Sequence, residues 1–166
     1  MKRSKIYKPL RDQALEGMPY LQFRDLQKGQ MQRPRENYPI PLPALFIEIG
    51  DLRFSNLLEH QQKGDGIISI YLYMDLVADS FDGAELENET IELLDHMDDV
   101  FQTFEGFVVP GLTPLVRQTE YKPQYGTRFI MYRVDFTTTI DSGKMIERIS
   151  VPKGKPEIEV KPFQFK

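Results

Sequence analysis

Residues 67–77, IISIYLYMDLV, alternate without a break. In an extended chain Ile68, Ile70, Leu72, Met74 and Leu76 fall on one side, and Ser69, Tyr71, Tyr73 and Asp75 on the other, because successive strand side chains point to opposite faces. The first side is wholly apolar and predicts a strand laid on a core. The second is amphipathic, so part of it needs cover, from within the chain or from a neighbouring subunit. A helix follows with the other period. Within residues 84–105, Leu93, Leu94, Met97, Val100, Phe101 and Phe104 gather on one side, with Glu92, Asp95, His96, Asp99 and Gln102 opposite. Asp82 and Glu85 have capping-box spacing, with Asp in place of Ser or Thr, and Gly106 sits where a left-handed stop is expected. A strand and a helix that each need to bury one apolar face predict an α+β domain.

The remaining segments supply partners for that strand. Residues 4–17 read as a helix with Ile6, Leu10, Ala14 and nearby Leu15 on one face. Pro9 places its start near Lys8, and Gly17 is a plausible stop. MPYLQFRDLQ holds a short strand, and KGQMQRPREN is a polar connector. Pro39, Pro41 and Pro43 stiffen the approach to ALFIEIG and aim it into the sheet, with Leu45, Ile47 and Ile49 on one face and Phe46 and Glu48 on the other. Residues 51–66 read as a long polar connection, either a protruding hairpin or a flexible loop. LVRQTEY, a KPQYG turn and TRFIMYRVDFTTTI form a second hairpin. In its last strand Ile130, Tyr132, Val134, Phe136 and Thr138 oppose Phe129, Met131, Arg133, Asp135 and Thr137. Beyond residue 143, two short apolar alternations are broken by Pro152, Pro156 and Pro162, which confine such strands to edges. The expectation is a single α+β domain over residues 1–140, an antiparallel or mixed sheet of four to five strands packed by helices, and an extended arm over 141–166.

The chain shows no recognisable chemical signature. GxSxG, GxGxxG, P-loop and HExxH patterns are missing, and Gly64-Asp65-Gly66 lacks the third glycine and following helix of a phosphate loop. With no Cys there is no disulfide, thiolate metal site or thiol nucleophile. Glu92 and His96 are one helical turn apart beside Asp95 and Asp99, a conceivable divalent-metal face, although a solvated acidic face needs no ion. DSFDG misses the spacing of a calcium loop, and His60 reads as a surface histidine. No cofactor and no membrane partner are expected: no stretch reaches the roughly 20 apolar residues of a bilayer span. A net charge of −4 gives no reason to expect a general nucleic-acid binder. Charge is unevenly placed, however. Every charged side chain from Asp75 to Glu105 is acidic, while Lys2, Arg3, Lys5, Lys8 and Arg11 at one end, and six cations from Lys144 to Lys166 at the other, are basic. These blocks are either solvated surfaces or complementary patches between identical subunits.

The order LQFRDLQKGQ, PIPLPALFIEIGDLRFSN, QQKGDGIISIYLY, IELLDHMDDVFQTFEGF, TPLVRQTEY and YGTRFIMYRVDFTTTI resembles the tail completion, or tail terminator, proteins of long-tailed bacteriophages and prophages over about residues 10–140. The resemblance implies a small α+β structural protein, not an enzyme. It would form a ring, typically a hexamer, on the head-proximal end of the tail tube. The ring would end tube polymerisation and present a surface to the head connector, while genome DNA passes through its lumen without specific binding. The location implied is the virion tail, assembled in the bacterial host cytoplasm. Candidate contact residues for subunit or tube are Arg53, Gln61, Gln62 and Lys63, and the sheet face around Tyr71 and Tyr73. Another head-completion or neck connector has the same layout as an alternative, and a small metal-dependent enzyme using Glu92 and His96 is a third.

Overall fold

A computed structural model describes residues 3–31, 40–58, 61–76, 87–126 and 128–141. Its central element is β3 (Gln61–Asp75), which carries the unbroken alternation of the sequence. β2 (Ala44–Leu58) pairs antiparallel on one side of it and β5 (Phe129–Asp141) antiparallel on the other. β1 (Phe23–Leu26) adds parallel to β2, and β4 (Val116–Tyr125) adds antiparallel to β5. The mixed five-stranded sheet has the order β1-β2-β3-β5-β4. Helix α1 (Ser4–Gly17) lies over β1 and β2, and α2 (Glu87–Phe104) lies over β3 and β5 on the same face. This is the α+β architecture that the two periods predict.

The main core fills the space between helices and sheet. Ile68, Ile70, Leu72 and Met74 of β3 meet Leu45 and Ile47 of β2, Ile130, Tyr132, Val134 and Phe136 of β5, Ile6, Leu10 and Ala14 of α1, and Leu93, Met97, Val100 and Phe104 of α2. Each fully buried large apolar side chain contributes about 1.5–3 kcal/mol relative to exposure. Three residues assigned to helix faces fall outside this core, among them Phe101, half-buried beneath the Arg117 guanidinium. Leu15 and Leu94 are both 56% exposed, because each stands at the edge of its apolar arc and turns away from the sheet.

α1 begins at Ser4, not near Lys8, so Pro9 lies inside the helix. Its missing N–H leaves the Lys5 carbonyl, in an exposed turn, to water. The turn before Pro9 persists because Ile6, 2% exposed, is anchored in the core and Arg3 O accepts from the amides of Ile6 and Tyr7 at 3.0 Å. Gly17 does end α1, but its requirement is proximity: a Cβ there would lie 2.5 Å from Thr103 Oγ1 of α2. Gly106 has φ of 73° and stops α2 as expected, while the Asp82 and Glu85 cap falls outside the described residues.

Of the two readings of residues 51–66, the hairpin holds and the flexible loop does not. β2 runs on to Leu58 and β3 starts at Gln61, so the connection is a continuous hairpin ladder apart from 59–60, which lie outside the described residues. A register shift between Ile49 and Leu52 inserts one extra β2 residue. It reverses the alternation, so that Leu52 takes the core side previously held by Ile49. Gly66 and Gly64 stand opposite Leu52 and Phe54, whose side chains lie across them. A Cβ on Gly66 would meet Leu52 Cδ2 at 2.4 Å, and one on Gly64 would meet Phe54 Cε1 at 2.6 Å. The KPQYG turn is likewise corrected: residues 122–125 belong to β4, with Pro123 in a register shift between Tyr121 and Gln124. The expected arm, from residue 142 onward, lies outside the described residues.

Candidate functional site

The sheet face away from the helices is divided in two. At the β1 end, Ala44, Phe46, Tyr71 and Tyr73 form a second, smaller core with Phe23, Met31, Ile40, Leu42, Phe129 and Met131 packed against it. Phe46 meets Tyr73 edge-on at 5.4 Å, and Tyr73 meets Phe129 at 5.1 Å. The proline-bearing lead-in therefore does more than aim β2, since Ile40 and Leu42 fold onto this face. The open sheet face expected around Tyr71 and Tyr73 is closed within the chain. Tyr73 is 0% exposed and its hydroxyl accepts from Gln27 Nε2 at 3.2 Å, and Tyr71 is 8% exposed.

The other half of the same face stays open as a cleft of about 500 Å³ between the β2–β3 ladder and β4–β5. Glu48, Asp51, Arg53, Asp65, Ser69, Tyr71, Gln118 and Arg133 line it. Its floor is a closed polar network. Arg133 donates Nε to Asp135 Oδ1 at 2.8 Å and Nη2 to Asp135 Oδ2 at 2.9 Å, a bidentate pair. Tyr121 donates to Asp135 Oδ2 at 3.1 Å, and Arg133 Nη2 reaches Ser69 Oγ at 3.4 Å. The guanidinium also lies 4.6 Å from the Tyr121 ring and 5.2 Å from the Tyr71 ring, whose hydroxyl donates to Glu48 at 2.5 Å. Burial opposes ionisation of Asp135, but hydrogen bonds from Arg133, Ser69 and Tyr121 outweigh it and hold the carboxyl below its ordinary value. Burial, then the Glu48 contact, push the Tyr71 phenol up.

The four candidate contact residues of the hairpin are placed together but on a ladder. Arg53 stands opposite Asp65 and Lys63 opposite Ser55, and both are exposed. Gln62 and Gln61 pair in register with Asn56 and Leu58, and their side chains lie outside the described residues. Arg53 borders the cleft and has no ion pair among the described residues. The Arg133–Asp135–Tyr121 network is not among the residues singled out from the sequence. Its signal was present, since Arg133 and Asp135 fall on the same strand face two residues apart with opposite charge. Tyr121 joins them only because β4 pairs Tyr121 with Arg133.

On α2, Glu89, Glu92, Asp95 and Asp98 are exposed. His96, expected on that solvated face, is partly buried and stacks on Tyr20 at 3.9 Å. Its ring is drawn inward because Tyr20, in the turn after α1, fills the notch between the helices. Among the described residues, no three of His, Asp and Glu group as a metal-ligand set. What this surface offers is hydrogen bonding and charge contact over a broad area.

No protein-family model matches the sequence, and no curated protein matches it. A solved structure is similar over 83% of this chain and 92% of its own, at 16% identity and a TM-score of 0.42. A likeness of that size brings no function with it.

Proposed function

We propose that this chain is a structural tail component of a long-tailed phage or prophage, capping the head-proximal end of the tail tube. In this reading copies of the chain form a ring, hexameric as in the resembled family, that ends tube polymerisation and seats the head connector. Genome DNA passes through the lumen without specific contact. The observation that carries the reading is the ordered set of sequence patterns over residues 10–140. The α+β fold is compatible with it, as is a polar contact surface built from strands and bordered by the exposed Arg53. The test is particle mass by sedimentation or native mass measurement, with and without purified tail tubes. Ring-sized particles, alone or on tube ends, are expected. A protein that stays monomeric and leaves tube ends bare would end the proposal.

A further inference from the structure

The two helices pack side by side on one face of the sheet, so their outward flanks face opposite ways. α1 sits over β1 and β2, and α2 over β3 and β5, with its outward flank on the side of β4. α2 is tied to that edge by Arg117 of β4, whose guanidinium lies 3.9 Å from the Phe101 ring and whose amide donates to Glu105 at 2.8 Å. The edges have opposite charge. Residues 87–105 and 116–125 together carry eight acidic side chains against Arg117 and Lys122, whereas residues 3–28 carry six basic side chains against three acidic.

Each edge also exposes apolar groups that its own chain leaves uncovered. Around the α2 helix axis, Thr103 and His96 face α1, with Thr103 against Gly17 and His96 on Tyr20. Ile91, Leu94 and Asp98 fall on the opposite side by helical spacing, toward β4. Ile91 is 50% exposed and Leu94 56%, and Tyr125 at the end of β4 is 65% exposed. On α1, Gln13 and Gly17 face α2, with Gln13 donating to Thr103 O at 3.2 Å. Lys8, Arg11 and Leu15 fall on the far side, and all three are exposed, with Arg11 paired to Asp12 at 2.7 Å, an exposed pair that a neighbouring carboxylate can join.

We infer that the α2–β4 edge of one copy docks on the α1–β1 edge of the next, with Ile91 and Leu94 meeting Leu15 and the Asp95–Asp98 side meeting Lys8 and Arg11. This deepens the ring reading and rests on it. Two different, complementary patches at opposite ends of one subunit are what a head-to-tail contact requires, whereas a two-fold dimer would pair one patch with itself. Opposite charge sets the polarity of the contact, and the apolar centre supplies the burial. The occupant of each edge is therefore a second copy of this chain.

Charge reversal separates the outcomes. Asp95→Lys with Asp98→Lys, and Lys8→Glu with Arg11→Glu, each bring like charges together and are expected to weaken self-association about tenfold or more at low salt. All four substitutions in one chain restore opposite charge and are expected to recover assembly. All positions are exposed, so thermal unfolding by circular dichroism serves as the folding control. Wild-type rings that both double variants form equally well would overturn this contact and leave the ring reading standing. Loss of assembly without recovery in the fourfold variant would also overturn it. A discrete two-fold dimer would replace head-to-tail docking, and a wild-type protein that never self-associates on or off tubes would remove the ring reading as well.

Discussion

Asp135 offers a direct measure of the network beneath the cleft. Its side chain is 6% exposed and that of Arg133 is 32% exposed. Asp135→Asn keeps the shape and removes the charge. The two Arg133 bonds lose their ionic partner, and the new amide nitrogen faces a donor, either Arg133 or Tyr121. Breaking one side of a fully buried ion pair costs about 3–5 kcal/mol. Because Arg133 retains access to water, the loss is reduced to about 2 kcal/mol. For a chain of this length, that lowers Tm by roughly 4–8 °C. Urea unfolding followed by circular dichroism reads it directly. The pH dependence adds an independent check. Asp135 has a folded-state pKa below its unfolded value, so its contribution is fully present above the unfolded pKa, about 3.9, and is lost as pH falls through the folded value. The gap between wild type and variant should therefore be constant from pH 5 to 7, a window that lies above about 3.9, and narrow in more acidic solution. A loss below about 0.5 kcal/mol at neutral pH, or a gap that widens on acidification, would refute the network as described.

Phe46→Ala should cost about 3–5 kcal/mol in urea unfolding, because Phe46 is 0% exposed in the second core, and a near-neutral effect would mean that face is open. Gly106→Ala should cost about 1 kcal/mol although nothing lies within 4 Å of the added Cβ, since the strain is in the φ of 73°; an unchanged midpoint would contradict the left-handed stop. Tyr71 and Tyr132 have raised pKa values, from burial first and then from Glu48 and Glu120 respectively. Burial likewise pushes up the Tyr20 and Tyr7 phenols, and the contribution of all four is present below the unfolded value of about 10 and lost as pH rises through the folded values, so phenolate absorbance should show a late-ionising group of tyrosines that titrates together with alkaline unfolding. Arg53→Glu should leave the unfolding midpoint nearly unchanged while weakening assembly on tail tubes, and equal assembly would remove the β2–β3 ladder from the contact surface.

The helix faces and the β3 and β5 alternations were legible in the sequence because each obeys a single period and buries a single face. The 51–66 ladder was half legible, with a hairpin as one of two readings and its strands unmarked by any period. One inserted residue near Gly50 and Asp51 reverses the alternation, so a window read at constant period sees no strand, and the two glycines that accommodate Leu52 and Phe54 look like loop residues. The second core was half legible. Tyr71 and Tyr73 were recognisable as needing cover, but both a folded-back segment and a neighbouring subunit satisfy that need. The candidate contact residues Arg53 and Lys63 were named as neighbours in a loop, and only the register places Arg53 at the rim of a cleft.

By itself the sequence determined the class of fold, because local periodicity decides which faces must be buried and burial of two such faces against each other admits few architectures. It also determined the uneven layout of charge along the chain. Which parts of the chain meet was decided by tertiary structure alone. Packing sets the basic and acidic helices side by side with their outward flanks facing opposite ways, pairing brings Tyr121 to Arg133 and Asp135, and the proline-bearing segment covers half of one face and leaves the other half bare. These are contacts between residues far apart in sequence, and nothing in the spacing of a single segment encodes its distant partner.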